Sequence, residues 1–155
     1  MKTTIKRVMY LILMPALICG AVQAATGEAR LELLSVEEAA RPADRSFGFS
    51  AKNADDGPVI DVSNLEVQEA KPFALKVRVK ARDGSAPDLT TLRVECLKTP
   101  IVDLTPRLKS YINSEGVLVN QTTLPPGLHQ FRVGISDARG RFSEKDFTIL
   151  VSGTF

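Results

Sequence analysis

The chain has one imidazole, His129, and two thiols, Cys19 and Cys96, and any nucleophilic or metal chemistry would have to be built around them. A Ser-His-Asp or Cys-His arrangement needs the imidazole as its base. His129 falls on the apolar side of the alternating run His129, Phe131, Val133, Ile135, just after a turn, so it reads as a packed or capping side chain. One His and one Cys do not complete a usual zinc set. Asp55, Asp56 and Asp137 could offer oxygens to calcium, but no loop repeats the acidic spacing of a calcium cage. Glu37-Glu38 and Asp55-Asp56 read as solvated charges, and no glycosidase pair of carboxylates can be assigned by position. The expectation is a noncatalytic chain with no metal ligands and no cofactor.

The sharpest chemical pattern is a row of cations. Lys76, Arg78, Lys80 and Arg82 recur at every second position, which on a strand places them roughly 6 to 7 Å apart along one face. Arg93 on the next expected strand would widen the row, as would Arg132. Such a ladder suits an acidic protein partner or an anionic envelope polymer. The plainer account is a solvated strand face, its charges paired with acids such as Glu95 and its lysines discouraging edge-to-edge pairing.

The elements that must hold these residues begin after an export signal. Lys2, Lys6 and Arg7 precede an uncharged run from Val8 to Val22, and Val22-Gln23-Ala24 has small residues where a signal peptidase reads. A membrane anchor would need about 20 apolar residues, whereas this run has about 15 and is interrupted by Pro15. Lipidation of Cys19 would call for a small residue before it, and Ile18 is not small. Residues 1–24 are therefore expected to be removed, leaving a periplasmic or secreted protein with no membrane span. The whole chain has 20 Lys+Arg and 18 Asp+Glu; removing three cations and no anions leaves 17 against 18, a net charge of about −1. That balance argues against nucleic-acid binding, which needs cations to displace phosphate counterions. It also leaves Cys96 without a partner, so an apolar core alone must hold the roughly 131 remaining residues together.

Residues 25–57 are rich in Ala, Glu, Arg and Ser, broken by Arg41-Pro42 and Asp55-Asp56-Gly57-Pro58, and read as a flexible polar extension. Its patch Leu31 to Val36 fits a short helix or a strand equally well, and Phe47 and Phe49 could dock on the domain. From residue 58 to 152 the pattern has period 2. Phe73, Leu75, Val77, Val79 and Ala81 share one face opposite the cations, and Leu92, Val94 and Cys96 repeat the pattern after the turn at Asp83-Gly84. Thr105 as cap and Pro106 at the first position predict a short helical insertion stopped at Gly116, with Leu108, Tyr111 and Ile112 on one side. About seven short strands with turn signals and almost no helix predict an all-β, immunoglobulin-like β-sandwich.

The segment Leu124-Pro125-Pro126-Gly127 through His129-Gln130-Phe131-Arg132-Val133-Gly134-Ile135 and Asp137-Ala138-Arg139-Gly140, continuing from Phe147 to Val151, resembles the closing hairpin of bacterial immunoglobulin-like, fibronectin type III-like and cadherin-like domains. The chain has no Trp, no cysteine pair in the domain and no cadherin-type calcium motif. The resemblance implies the fold and a noncatalytic role in adhesion, spacing or binding at the cell envelope. The alternation Phe147, Ile149, Val151, Gly153, Phe155 also resembles the last strand of an outer-membrane barrel, but the aromatic girdles are missing.

The functional expectation is a module that binds, or helps assemble, another envelope protein through the cation row or a strand edge. A carbohydrate module for cell-wall glycan is the alternative, and its weakness is the shortage of aromatics, since Tyr111 points to the core. An exposed aromatic cluster would favour glycan, a bare edge beside the cations would favour protein, and a deep acidic pocket would favour an enzyme.

Overall fold

The computed structural model describes residues 30–49, 56–68 and 71–153. The expected signal peptide, Cys19, Asp55 and Phe155 lie outside these residues.

The period-2 segments are strands with one buried face. In β4 (Phe73–Lys80), Leu75, Val77 and Val79 are buried while Ala74, Lys76, Arg78 and Lys80 are exposed. The same alternation buries Leu92, Val94 and Cys96 of β5 (Pro87–Cys96) and Phe131, Val133 and Ile135 of β9 (Gly127–Asp137). It also buries Phe147, Ile149 and Val151 of β10 (Phe142–Val151). The Phe131 and Phe147 rings stack with centroids 5.2 Å apart in the middle of this core. Because Phe147, Ile149 and Val151 face inward, they have no lipid-facing role, and the barrel reading fails.

Two open sheets result. In the first, β2 (Val59–Asp61), β4 and β8 (Gly116–Thr123) lie side by side, and β8 is flanked on its far edge by β7 (Ile112–Asn113) and by β1 (Leu31–Glu32). The second has the order β3-β10-β9-β5-β6, with β3 spanning Leu65–Val67 and β6 spanning Val102–Asp103. Strands β2, β4, β8 and β7 opposite β5, β9 and β10 reproduce the strand order of an immunoglobulin-type sandwich. Between β2 and β3 the chain crosses from one sheet to the other: β2 is antiparallel to β4, and β3 is parallel to β10.

The helical insertion is α2 (Thr105–Leu108) followed by a 3-10 turn over Lys109–Tyr111. Thr105 is not its cap. Leu104 is the N-cap residue, and the Thr105 hydroxyl instead accepts the N–H of Val94 at 3.1 Å. The Thr105 N–H is satisfied by Asp103, at 2.9 Å. Gly116 begins β8 rather than ending a helix; its φ is +123°, and a Cβ there would collide with the Val77 carbonyl.

Residues 30–49, expected as part of a polar tether, are built into the sandwich. The ambiguous patch is strand and then helix: β1 pairs in parallel with Thr122 and Thr123 of β8, and Ser35 caps α1 (Val36–Ala39) in a reciprocal box with Glu38. Between them Leu33 and Leu34 are buried in the common core at 1% and 0% exposure, worth about 1.5 to 3 kcal/mol each by burial alone. The arm is then tied along its length. Arg107 grips Glu38 with two hydrogen bonds of 2.8 and 2.7 Å, Lys98 Nζ donates to the Ala39 carbonyl, and the Asp44 N–H donates to Leu97. Phe47 is half-buried, whereas Phe49 stays 75% exposed, so the arm is held there by its backbone rather than by that ring.

Candidate functional site

The residues that could have carried chemistry are occupied structurally. His129 is buried; its Nε2–H donates to the Pro125 carbonyl at 2.8 Å and its Nδ1 has no partner, so the ring closes the Pro125-Pro126-Gly127 turn from inside. Burial holds its pKa below the ordinary histidine value, which keeps it neutral. Cys96 is fully buried, and burial pushes its thiol up to about 11, far from the thiolate that a nucleophile needs.

Asp137 is also used internally, as a turn staple. Its carboxylate accepts the N–H groups of Arg139 and Arg141 at 2.9 Å each and the Arg141 guanidinium at 2.8 Å. Burial alone would raise its pKa, but these hydrogen bonds and one from Ser85 outweigh it and hold the group at about 2. Glu38 is likewise not a solvated charge, since the Arg107 hydrogen bonds bring it down to about 2. Among the described residues no group of three or more His, Cys, Asp or Glu side chains is placed to hold a metal ion.

The cation row divides. Lys76, Arg78 and Lys80 stand exposed on the outer face of β4. Lys80 reaches Asp61 of β2 at 4.0 Å, a loose pair with both side chains more than half exposed, while Lys76 and Arg78 make no ion pair among the described residues. Arg82 lies past the strand end, in a turn bridged to Ser85, and lines a cleft with Ile60, Ser143 and Glu144 at the seam between the sheets. Arg93 does not widen the row: it faces outward from β5, which belongs to the opposite sheet. Arg132 is on that opposite face as well, and is already spent on Asp146, Glu144 and the carbonyls of Ser46 and Phe49. The row is therefore three cations long and confined to one strand.

Beside it lies an unfinished sheet edge. Strand β2 pairs only with Arg78, Val79 and Lys80 before the chain departs for the other sheet. From Phe73 to Val77, β4 has a pairing strand among the described residues on its β8 side alone. The departing chain leaves a notch of about 250 Å³ there, walled by Asp61, Val62, Ser63 and Leu65 on one side and by Ala74, Lys76 and Arg78 on the other. Sequence periodicity had located the cations but not the edge, because the early exit of β2 shows only as the non-alternating Ser63-Asn64 step.

No helix among the described residues is long and apolar enough to cross a membrane. No family model and no curated protein matches the chain. Among solved structures, that of CopC from Methylosinus trichosporium OB3b is similar at 11% identity, covering 63% of this chain and 98% of that one with a TM-score of 0.39. A likeness of that size carries no argument about fold or ligand.

Proposed function

We propose that this chain is an exported, noncatalytic binding module that takes an extended acidic segment of another cell-envelope protein as an added strand along the open edge of β4. The observation that carries this reading is that, among the described residues, no strand pairs with the outer edge of Phe73–Val77 and no acid forms an ion pair with Lys76 or Arg78. In strand addition, main-chain hydrogen bonds supply affinity and alternate side chains supply selectivity. A carboxylate of the incoming strand opposite Lys76 would lie diagonal to Arg78, whose own cross-strand position is taken by Asp61, while the strand's alternate side chains turn toward the seam at Val62 and Leu65. The same cations repel the edge of a second copy, so one feature favours an acidic partner and discourages self-pairing. Export is supported by Lys2, Lys6, Arg7 and the uncharged run that follows them.

The test pairs capture with a defined probe. The full chain and a Lys76→Ser/Arg78→Ser/Lys80→Ser variant are crosslinked in an envelope fraction, and each is titrated with a peptide alternating Glu and Thr. We expect the native chain to bind the peptide with salt-sensitive affinity, to protect the amides of Phe73–Val77 from exchange, and to crosslink a protein through this edge. The variant should weaken peptide binding about tenfold or more. Equal binding by both chains, or protection elsewhere, overturns the reading.

A further inference from the structure

The outer face of the second sheet has a depression with its own chemistry. Two registered rows cross β5, β9 and β10: Arg93, Gly134 and Glu144 form one, and Glu95, Arg132 and Asp146 the next. Ser136 and Phe142 pair above them, where the Ser136 N–H donates to the Thr91 hydroxyl at 2.9 Å. Gly134 is the centre of this pattern and the one position without a side chain. Its φ is not positive, so the backbone does not demand glycine; space does, since a Cβ would lie 2.9 Å from the Phe142 ring. A glycine inside a strand marks a place where something approaches the backbone closely. Here the Phe142 ring leans over it and leaves a basin of about 510 Å³, within the roughly 300 to 1,000 Å³ of small-molecule clefts.

The groups around the basin define what it would hold. Arg93 and Ser136 have side chains with no hydrogen bond or ion pair among the described residues, and Glu95 is only attracted at longer range to Arg132. Two cations, Arg93 and Arg132, face two anions, Glu95 and Glu144, so the lining favours neither an anion nor a cation. It offers guanidinium donors, a carboxylate acceptor and a hydroxyl that does both, all beside one aromatic surface. A compound with alternating hydroxyls and one C–H face meets all of these at once, the C–H groups resting on the electron-rich ring. We infer that the basin over Gly134 binds a neutral saccharide unit, stacked on Phe142 and hydrogen-bonded by Arg93, Glu95 and Ser136. The site lies on the sheet opposite the β4 edge and stands or falls independently of it.

The isotope-labelled full chain, titrated by NMR with maltotriose, cellotriose and chitotriose at millimolar concentration, tests this. We expect at least one of them to give saturable shifts at the amides of Arg93–Glu95, Arg132–Ser136 and Phe142–Glu144. Arg93→Ala should weaken that binding about tenfold, as for loss of a hydrogen bond to a charged group. Arg93 is exposed and makes no hydrogen bond or ion pair among the described residues, so this variant keeps the question open even if Phe142→Ala fails to fold. Trigalacturonate, which is anionic, should bind more weakly. Absence of saturable shifts with all three neutral probes, shifts elsewhere, indifference to Arg93→Ala, or equal binding of trigalacturonate would each overturn the inference.

Discussion

The two outer faces of the sandwich treat their cations in opposite ways. On β4, Lys76 and Arg78 project into solvent and make no ion pair among the described residues: the β8 side contributes Gly116 and Leu118, and Asp61 of the short β2, directly across from Arg78, leans instead toward Lys80. On β9, Arg132 is flanked by Asp146 on one side and Glu95 on the other; it is 13% exposed and holds the arm through the carbonyls of Ser46 and Phe49. Both segments show the same alternation of cation and apolar residue in sequence. Register places an acid across from both arginines, Asp61 from Arg78 and Asp146 from Arg132, so the difference between an available charge and a structural one is set by burial and by the second acid and the arm carbonyls around Arg132; a count of basic residues per strand says little about binding.

The sharpest way to break this comparison is to remove one arginine from each face. Arg132→Ala leaves the nearly buried Asp146, 8% exposed, without its cation and with only the Gly48 N–H among the described residues as a donor, and releases two backbone carbonyls of the arm. We expect a loss of about 3 kcal/mol in urea denaturation, as for breaking a buried charged pair from one side. Arg78→Ala, by contrast, should stay within about 0.5 kcal/mol of the native chain. Similar losses at the two sites would mean that the faces do not differ in the way proposed.

The contrast recurs at smaller scale between two ion pairs. Arg107 and Glu38 meet in two-pronged geometry at 2.7 Å with the carboxylate 15% exposed, while Lys80 and Asp61 are 4.0 Å apart in solvent. Glu38→Gln should cost about 2 kcal/mol at neutral pH, and Asp61→Asn under about 0.5. The pH dependence gives the sign independently. The folded pKa of Glu38, about 2, lies below its unfolded value near 4.3, so its stabilisation is complete above about pH 4.3 and fades as pH falls toward 2. Stability measured between pH 5 and 2 should therefore fall less steeply in Glu38→Gln than in the native chain, with Asp137 still contributing part of the slope. An unchanged slope would show that the pair forms no better in the folded state than in the unfolded one.

How far the sequence carried this picture differs from element to element. Strands β4, β9 and β10 were legible because each buries every second residue, and the sandwich followed from their number and turns. Arg93 was misplaced because period 2 says which residues face out but not which sheet a strand joins, and the chain changes sheet between β4 and β5. The arm was misread as a tether because Leu33 and Leu34 are buried consecutively at a strand-to-helix junction, a pattern that fits neither period. Glu38 looked like a solvated acid because its partner Arg107 is 69 residues away. Gly134 was the signal left unused: a lone glycine at an outward position of an otherwise regular strand.

The smallest expected change in stability tests what the free cations on β4 are for. In Lys76→Ser/Arg78→Ser neither side chain gives up a hydrogen bond or ion pair among the described residues, and the attraction of Arg78 to the exposed Asp61 is screened by solvent, so the denaturation midpoint should move by less than the equivalent of about 0.5 kcal/mol. The effect should appear instead in association. An open edge presents unpaired N–H and C=O groups to any other chain, and charge is one of the devices that keeps like edges apart. Without it, five residues of β4 on each of two copies could pair antiparallel, with Ala74 and the new serines offering no obstacle on the outer face. Sedimentation at increasing concentration should show the variant forming a weak dimer, with Kd of about 0.1 to 1 mM, under conditions where the unsubstituted chain associates less. Added salt should push the unsubstituted chain toward the variant's behaviour, because screening removes the same repulsion without touching a residue. If the variant and the salt-treated native chain associate no more than the native chain at low salt, the cations do not guard this edge and some feature of its shape does.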